Sequence, residues 1–139
     1  MKVRDAMAAD VRSVNPGDSI ARAARLMGEA GTGFLPVTEA DRPVGVVTDR
    51  DIVVRFVAGG GGDAGATPVS EVMTAKVTVV GPDDDLSDAA DAMRGAAVRR
   101  LVVVDGGQVV GVLSHGALVQ ATDGEGAGRQ ATLGVTAGA

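Results

Sequence analysis

Thr48 and Asp51 stand three residues apart where an apolar run, Pro43–Thr48, gives way to a stretch with helical spacing. A hydroxyl residue followed three positions later by an acid is a capping pattern. The hydroxyl accepts from the backbone N–H three residues on, and the carboxylate reaches back to the N–H of the capping residue. The same shift that repeats the chain (below) puts Ser114 at the position of Thr48 but Ala117 at that of Asp51, so the second pattern lacks its acid. Other groups with chemical capacity are few. Arg99 and Arg100 adjoin just before an apolar run, and one or both of these always-charged, planar groups can lie in solvent or pair with an acid. Asp83, Asp84 and Asp85 precede Leu86 and read as charges favouring the first turn of a helix rather than as a metal cluster. The single histidine, His115, reads as an exposed residue at a helix start.

These groups do not make a catalytic centre. Cysteine is absent, and His115 has no serine partner motif, so no nucleophile–base pair is evident. A structural zinc site needs about four Cys, His or acidic ligands, and none is evident, so neither a catalytic nor a metal-ligating set is expected. The formal charge of −5, from 13 basic and 18 acidic residues, offers no basic face for a phosphate backbone, and nucleic acid is not an expected partner. No apolar run approaches the roughly 20 residues of a membrane span. The first residues, MKVRDAMAADVRS, lack the apolar centre of a signal peptide. The expectation is a soluble cytoplasmic protein. Hydrophobic residues make up 45 % of the chain and aromatics 1 %. The core must therefore be assembled from many small contacts of Val, Leu, Ile, Met and Ala, with the helix methionines as core fillers.

The elements that would position Thr48 and Asp51 occur twice. A constant shift that carries Val3 onto Val69 also carries Met7 onto Met73, Val14-x-Pro16 onto Val80-x-Pro82, Ala23, Ala24 and Met27 onto Ala89, Ala90 and Met93, and Val44-Gly45-Val46 onto Val110-Gly111-Val112. Register kept through a helix and two strands marks an internal repeat. Each copy predicts a short helical turn (Val3–Met7; Val69–Met73) and a brief strand (Val11–Val14; Val77–Val80). A helix follows, with apolar residues at Ile20, Ala23, Ala24 and Met27 or at Leu86, Ala89, Ala90 and Met93. Then come two apolar strands, Phe34–Thr38 and Pro43–Thr48, or Leu101–Val104 and Gln108–Leu113, and a last helix, Asp49–Ala58 or His115–Ala121. The strand runs are almost continuously apolar, so both faces should be covered. Asp105-Gly106-Gly107 is a hairpin signal. The expected organisation is 1–58 for the first copy, 59–68 for a flexible Gly-rich linker, 69–122 for the second copy and 123–139 for a disordered tail. The linker is not a phosphate loop, since no Lys-Ser or Lys-Thr follows it.

Val-x-Pro, Ala-Ala-x-x-Met, Phe34-Leu35-Pro36-Val37, and Gly45-Val46-Val47-Thr48-Asp49-Arg50-Asp51-Ile52 together resemble a CBS domain. The second copy, through Arg99-Arg100-Leu101-Val102-Val103-Val104-Asp105 and Gly111-Val112-Leu113-Ser114, resembles another. The resemblance covers roughly residues 1–121. It implies an α/β (α+β) fold of tandem CBS repeats, each a small sheet with two flanking helices, packed about a pseudo-two-fold axis. It also implies homodimerisation, a regulatory rather than catalytic role, and an adenosine-containing ligand such as AMP, ATP or S-adenosylmethionine in the crevice between repeats, with no required cofactor. Thr48 and Asp51 would hold the ribose. A carboxylate has two oxygens for two hydroxyls, and charge-assisted bonds are about twice as strong as neutral ones. Arg99 or Arg100 would meet a phosphate, and Val14, Leu35, Pro36 and Val47 with Val80, Val102 and Ser114 would complete the lining. Because Ala117 lacks the acid, at most one competent site per chain is expected. The alternative is a ligand-free dimerisation or interaction module with an unidentified protein partner.

Overall fold

The computed structural model describes residues 1–123; the tail expected over 123–139 lies, past Asp123, outside the described residues. In chain order the elements are α1 (Ile20–Ala30), β1 (Phe34–Glu39), β2 (Arg42–Thr48) and α2 (Asp49–Asp51), the last running on as a π-helical segment, Ile52–Val57. After these come β3 (Val79–Val80), α3 (Leu86–Ala96), β4 (Arg100–Asp105), β5 (Gln108–Ser114) and α4 (His115–Asp123). Single 3-10 turns, Val3–Asp5 and Val69–Glu71, open the two copies. This is the twice-repeated mixed α/β unit that the sequence predicts.

The chain forms two compact units, and they do not follow the two sequence copies. The first-copy unit is Val11–Val77; the second-copy unit joins Met1–Asp10 to the chain from Thr78 onward. Each copy's opening segment therefore belongs to the unit built on the other copy. Val69 and Val72 are buried with Val14, Ile20, Ala23, Met27, Leu35, Val37 and Val47. Val3 is buried with Leu86, Ala89, Met93, Leu101, Val103 and Leu113.

In the first-copy unit, Ser19 caps α1 by accepting from the Arg22 N–H at 3.1 Å. Ile20, Ala23 and Met27, at helical spacing, bury one face. β1 and β2 pair antiparallel, Phe34 opposite Thr48 and Leu35 opposite Val47, with a register shift between Val37 and Thr38. The strand expected at Val11–Val14 is reduced to Val14, which pairs in parallel with Val37. β1 is buried from Leu35 through Thr38, as a strand covered on both faces must be. Only Gly45 and Val47 of β2 are buried, so the expected double cover holds for β1 and not for β2. The Gly-rich run is more tied down than its composition suggests. Ala64 and Thr67 carbonyls accept from the Ala21 and Ile20 N–H groups, and Asp63 accepts from Ala66 and Thr67.

In the second-copy unit β3 pairs parallel with β4 and β4 antiparallel with β5, Arg100 opposite Ser114. The acids before α3 hold the opening segment. Arg4 donates to Asp83 through Nε and Nη2 at 3.0 and 2.8 Å, and the Asp84 carbonyl accepts from the Val3 N–H at 2.8 Å. Hydrogen bonding from the Arg4 guanidinium keeps the Asp83 carboxyl below its usual range. That attraction is present above the ordinary carboxylate pKa and is lost as pH falls through the lowered one.

The repeated Val-Gly-Val motif has a steric reason. A Cβ on Gly45 would sit 2.8 Å from the Thr74 carbonyl oxygen, and one on Gly111 would sit 2.8 Å from Met7 Sδ and 2.9 Å from the Ala8 carbonyl oxygen. Thr74 and Ala8 lie on the exchanged segments, where they pair with Val46 and Val112. Gly45→Ala should therefore push against backbone and destabilise the protein by about 1–3 kcal/mol. The opposite outcome is expected at Ala97, which ends α3 at φ 56° where the matching residue of α1 is Gly31 at φ 66°. Removing the Cβ from a left-handed position should make Ala97→Gly more stable by about 0.5–1 kcal/mol. Urea denaturation of the two variants beside the parent checks both signs.

Candidate functional site

The junction from β2 into α2 carries the only one of the two Thr/Ser patterns that is complete. Thr48 is extended, at φ −118° and ψ 163°, as an N-cap must be. Its Oγ1 accepts from the Asp51 N–H at 3.0 Å, and its own N–H donates to Asp51 Oδ2 at 3.0 Å. The capping box expected from the spacing is formed. The Asp49 N–H donates to the Gly33 carbonyl at 2.9 Å, which ties the start of α2 to the residue before β1.

The cap holds Asp51 without exhausting it. An ionised carboxylate offers about four lone-pair sites. Oδ2 uses one on the Thr48 N–H, and Oδ1 faces Arg55 Nε at 3.8 Å, an ion-pair distance longer than a hydrogen bond. The Asp51 side chain is 13 % exposed, so its carboxylate is fixed, largely shielded and still able to accept. Arg55 is held from the other side, its Nη1 donating to the Val72 and Met73 carbonyls at 3.0 and 3.1 Å. Arg55 is not among the residues expected at the site. Its signal was the i,i+4 spacing of an acid ahead of a base on one helix.

The other residues expected at the site separate into groups. Val14, Leu35 and Val47 are core residues of the first-copy unit, and Pro36 is fully buried beside them in β1; any part they take in binding falls to their backbone. In the second-copy unit Val102 is 1 % exposed, and Val80 packs against the core. Arg100 and Ser114 are brought opposite each other across β4 and β5. Ser114 Oγ accepts from the Ala117 N–H at 3.1 Å, which is half of a capping box, since Ala117 has no carboxylate to return. Arg99 is exposed, and its carbonyl accepts from the His115 N–H at 2.8 Å.

His115 departs from expectation. It is half-buried, not exposed, and its Nδ1 is buried with no hydrogen-bond partner. Asp49, the matching residue, is exposed. An imidazole is larger and less strongly hydrated than a carboxylate, so it lies against the protein where Asp49 faces water. Among the described residues no group of three or more His, Cys, Asp or Glu side chains is placed to hold a metal, and no helix is long and apolar enough to cross a membrane. A surface depression of about 420 Å³, lined by Asn15, Pro16, Gly17, Glu39 and Ala40, lies at the far end of β1. Five strand steps, about 17 Å, separate its Glu39 from Phe34, the residue opposite Thr48, so it does not include Asp51.

The family model for the CBS domain matches twice, over residues 3–58 and 69–124. The chain belongs to the CBS domain family. It is a CBS pair, and such pairs are regulatory modules. It is 40 % identical over 116 residues to the CBS domain-containing protein YhcV of Bacillus subtilis, covering 84 % of this chain and 81 % of that one. It is 30 % identical over 113 residues to hypoxic response protein 1 of Mycobacterium tuberculosis, covering 81 % and 78 %. A crystal structure of Hypoxic Response Protein I, solved with two coordinated zinc ions, superposes with a TM-score of 0.77 at 28 % identity over 86 % of this chain and 98 % of that one. The CBS domain pair of protein MJ0100, solved with 5′-methylthioadenosine and S-adenosyl-L-methionine, shares the fold at a TM-score of 0.79 and 23 % identity, over 91 % and 98 %.

Thr48→Ala removes the Oγ1 that accepts from the Asp51 N–H and leaves the Thr48 N–H bond to Asp51 Oδ2 in place. It should cost about 1 kcal/mol, about as much as Ser114→Ala, where the same kind of bond is lost. Thr48→Ser should restore most of the loss, as read by thermal or urea unfolding.

Proposed function

We propose that this CBS pair is a regulatory module that takes up an adenosine-containing ligand of the AMP, ATP or S-adenosylmethionine class, with the ribose hydroxyls accepted by Asp51 beside Thr48. The observation that carries the reading is the state of Asp51. Its carboxylate is fixed by the Thr48 N–H, shielded, and left with lone pairs unspent. A preheld acceptor loses little freedom when a ligand arrives. The fold of MJ0100 accommodates two adenosine-containing molecules, which makes the ligand class a reasonable one for a chain of the same fold. Arg99 or Arg100 would serve a phosphate group. Because Ala117 replaces the acid in the second copy, one ribose site per chain is proposed. Uptake would bias one arrangement of the protein over another, and such a bias requires that the ligand bind the two arrangements with different affinity.

Association as a homodimer and action in the cytoplasm belong to the same proposal. Val53, Val54 and Val57, 57, 47 and 62 % exposed, form an apolar strip on the π-helical segment that a second copy would cover. A second reading, a ligand-free interaction module, draws on Ala117, where the acid is missing.

The test is thermal unfolding with AMP, ATP and S-adenosylmethionine. A bound ligand at 100 times its Kd adds about 2.7 kcal/mol and a clear rise in Tm. Asp51→Asn keeps the shape and the oxygen for the Thr48 N–H but removes the charge, so affinity should fall about 10–100-fold. No shift with any of the three ligands would favour the ligand-free module.

A further inference from the structure

We infer that Arg55 is a positioning residue that aims the Asp51 carboxylate and links it to the segment Val72–Thr74, so that what Asp51 binds is felt at the pairing of Val46 with Thr74. The inference rests on the ribose-binding reading for its ligand, but not for the link itself.

The geometry is that of a bridge. Arg55 Nε faces Asp51 Oδ1 at 3.8 Å, while Nη1 of the same guanidinium donates to the Val72 and Met73 carbonyls at 3.0 and 3.1 Å. The group is planar and rigid, so a displacement at one edge moves the other. The next residue, Thr74, exchanges both backbone hydrogen bonds with Val46, at 2.8 and 2.9 Å. Val46 lies two residues before the cap. The carboxylate, the guanidinium and the exchanged segment thus form one closed circuit inside the first-copy unit.

The second copy supplies a comparison within the same chain. Where Asp51 becomes Ala117, Arg55 becomes Ala121. Acid and base are absent together, although Ser114 keeps its bond to the Ala117 N–H and α4 is a regular helix. If Arg55 served only to staple the last helix to an opening segment, the second copy would have had the same use for it. Its absence beside the missing acid ties its role to Asp51. The 3.8 Å separation fits that role. Arg55 is near enough to orient the carboxylate, and far enough to leave Oδ1 without a hydrogen bond from it. A hydroxyl that donates to Oδ1 shares the charge on which Arg55 acts, and the guanidinium must readjust against its two carbonyls.

Two arms test this, and they separate the link from the ligand. In the ligand-free protein, backbone amide shifts of Met73 and Thr74 are compared for Asp51→Asn in the parent and in Arg55→Met. Asp51→Asn should move these amides in the parent, and the movement should be largely abolished when Arg55→Met is already present. An equal movement in both backgrounds, or none in the parent, overturns the link whether or not any ligand binds. In the second arm, AMP affinity is measured by calorimetry for Arg55→Met, Arg55→Lys, Asp51→Asn and the Arg55→Met/Asp51→Asn pair. Arg55→Met should weaken AMP roughly tenfold, and should weaken it no further once Asp51→Asn is in place. Arg55→Lys, which keeps the charge but not the fork, should recover part of the loss. Unchanged affinity in Arg55→Met, or losses that simply multiply, would show that Arg55 does not aim the acid. Failure of AMP, ATP and S-adenosylmethionine to bind the parent would defeat the ligand reading alone, with the amide arm still deciding the link.

Discussion

A copy of this repeat does not close its own core. The residues that complete each core come from the other copy's opening segment: Val69 and Val72 in the first-copy unit and Val3 in the second-copy unit. Val3 and Val69 are fully buried. With so few aromatic residues in the chain, each buried valine, at about 1.5–3 kcal/mol of apolar burial, carries a large share of a stability that totals only a few times that amount. The exchange also imposes the glycines of the Val-Gly-Val motifs, since a side chain there would meet the incoming backbone.

The site inherits this construction. Thr48 and Asp51 sit on the β2 strand and α2 helix of the first copy, but the arginine facing Asp51 is anchored on carbonyls of the second copy's opening segment. The local capping box gives Asp51 its position, and the exchanged segment gives Arg55 its position. A carboxylate held from two sides of the chain can accept from a ligand without first being ordered, and through Arg55 it is connected to the second copy's opening segment. The second copy has neither charged partner, so the two halves of the repeat have taken different parts.

Much of this was legible in the residues. The repeat, α1 and α3 with their buried stripes, the paired strands and the Thr48–Asp51 cap all leave short-range patterns. Asp51 is three residues from its partner, and Ile20, Ala23 and Met27 share one helix face. The exchange left no such pattern, because Val69 looks equally apolar whichever core it enters. The Gly-rich run looked free because composition does not reveal that Ala64 and Thr67 would accept from the start of α1. Val14, Leu35 and Val47 were expected at a ligand, and their side chains are in the core; an apolar residue at the end of a strand has the same appearance in either role. His115 was misjudged because a residue at a helix start is ordinarily exposed, and its ring packs inward here. Arg55 was visible at i,i+4 from Asp51, yet its spacing alone resembles an ordinary surface pair, and only its hold on Val72 and Met73 distinguishes it.

Asp51 is proposed to accept the hydroxyls of a sugar. Calorimetric titration of AMP and ATP against their 2′,3′-dideoxy counterparts, in the parent protein and in Asp51→Asn, addresses that chemistry alone. Losing the two hydroxyls should weaken binding at least tenfold in the parent and make little difference in the variant. Equal affinity for the hydroxylated and dideoxy compounds in the parent would contradict it.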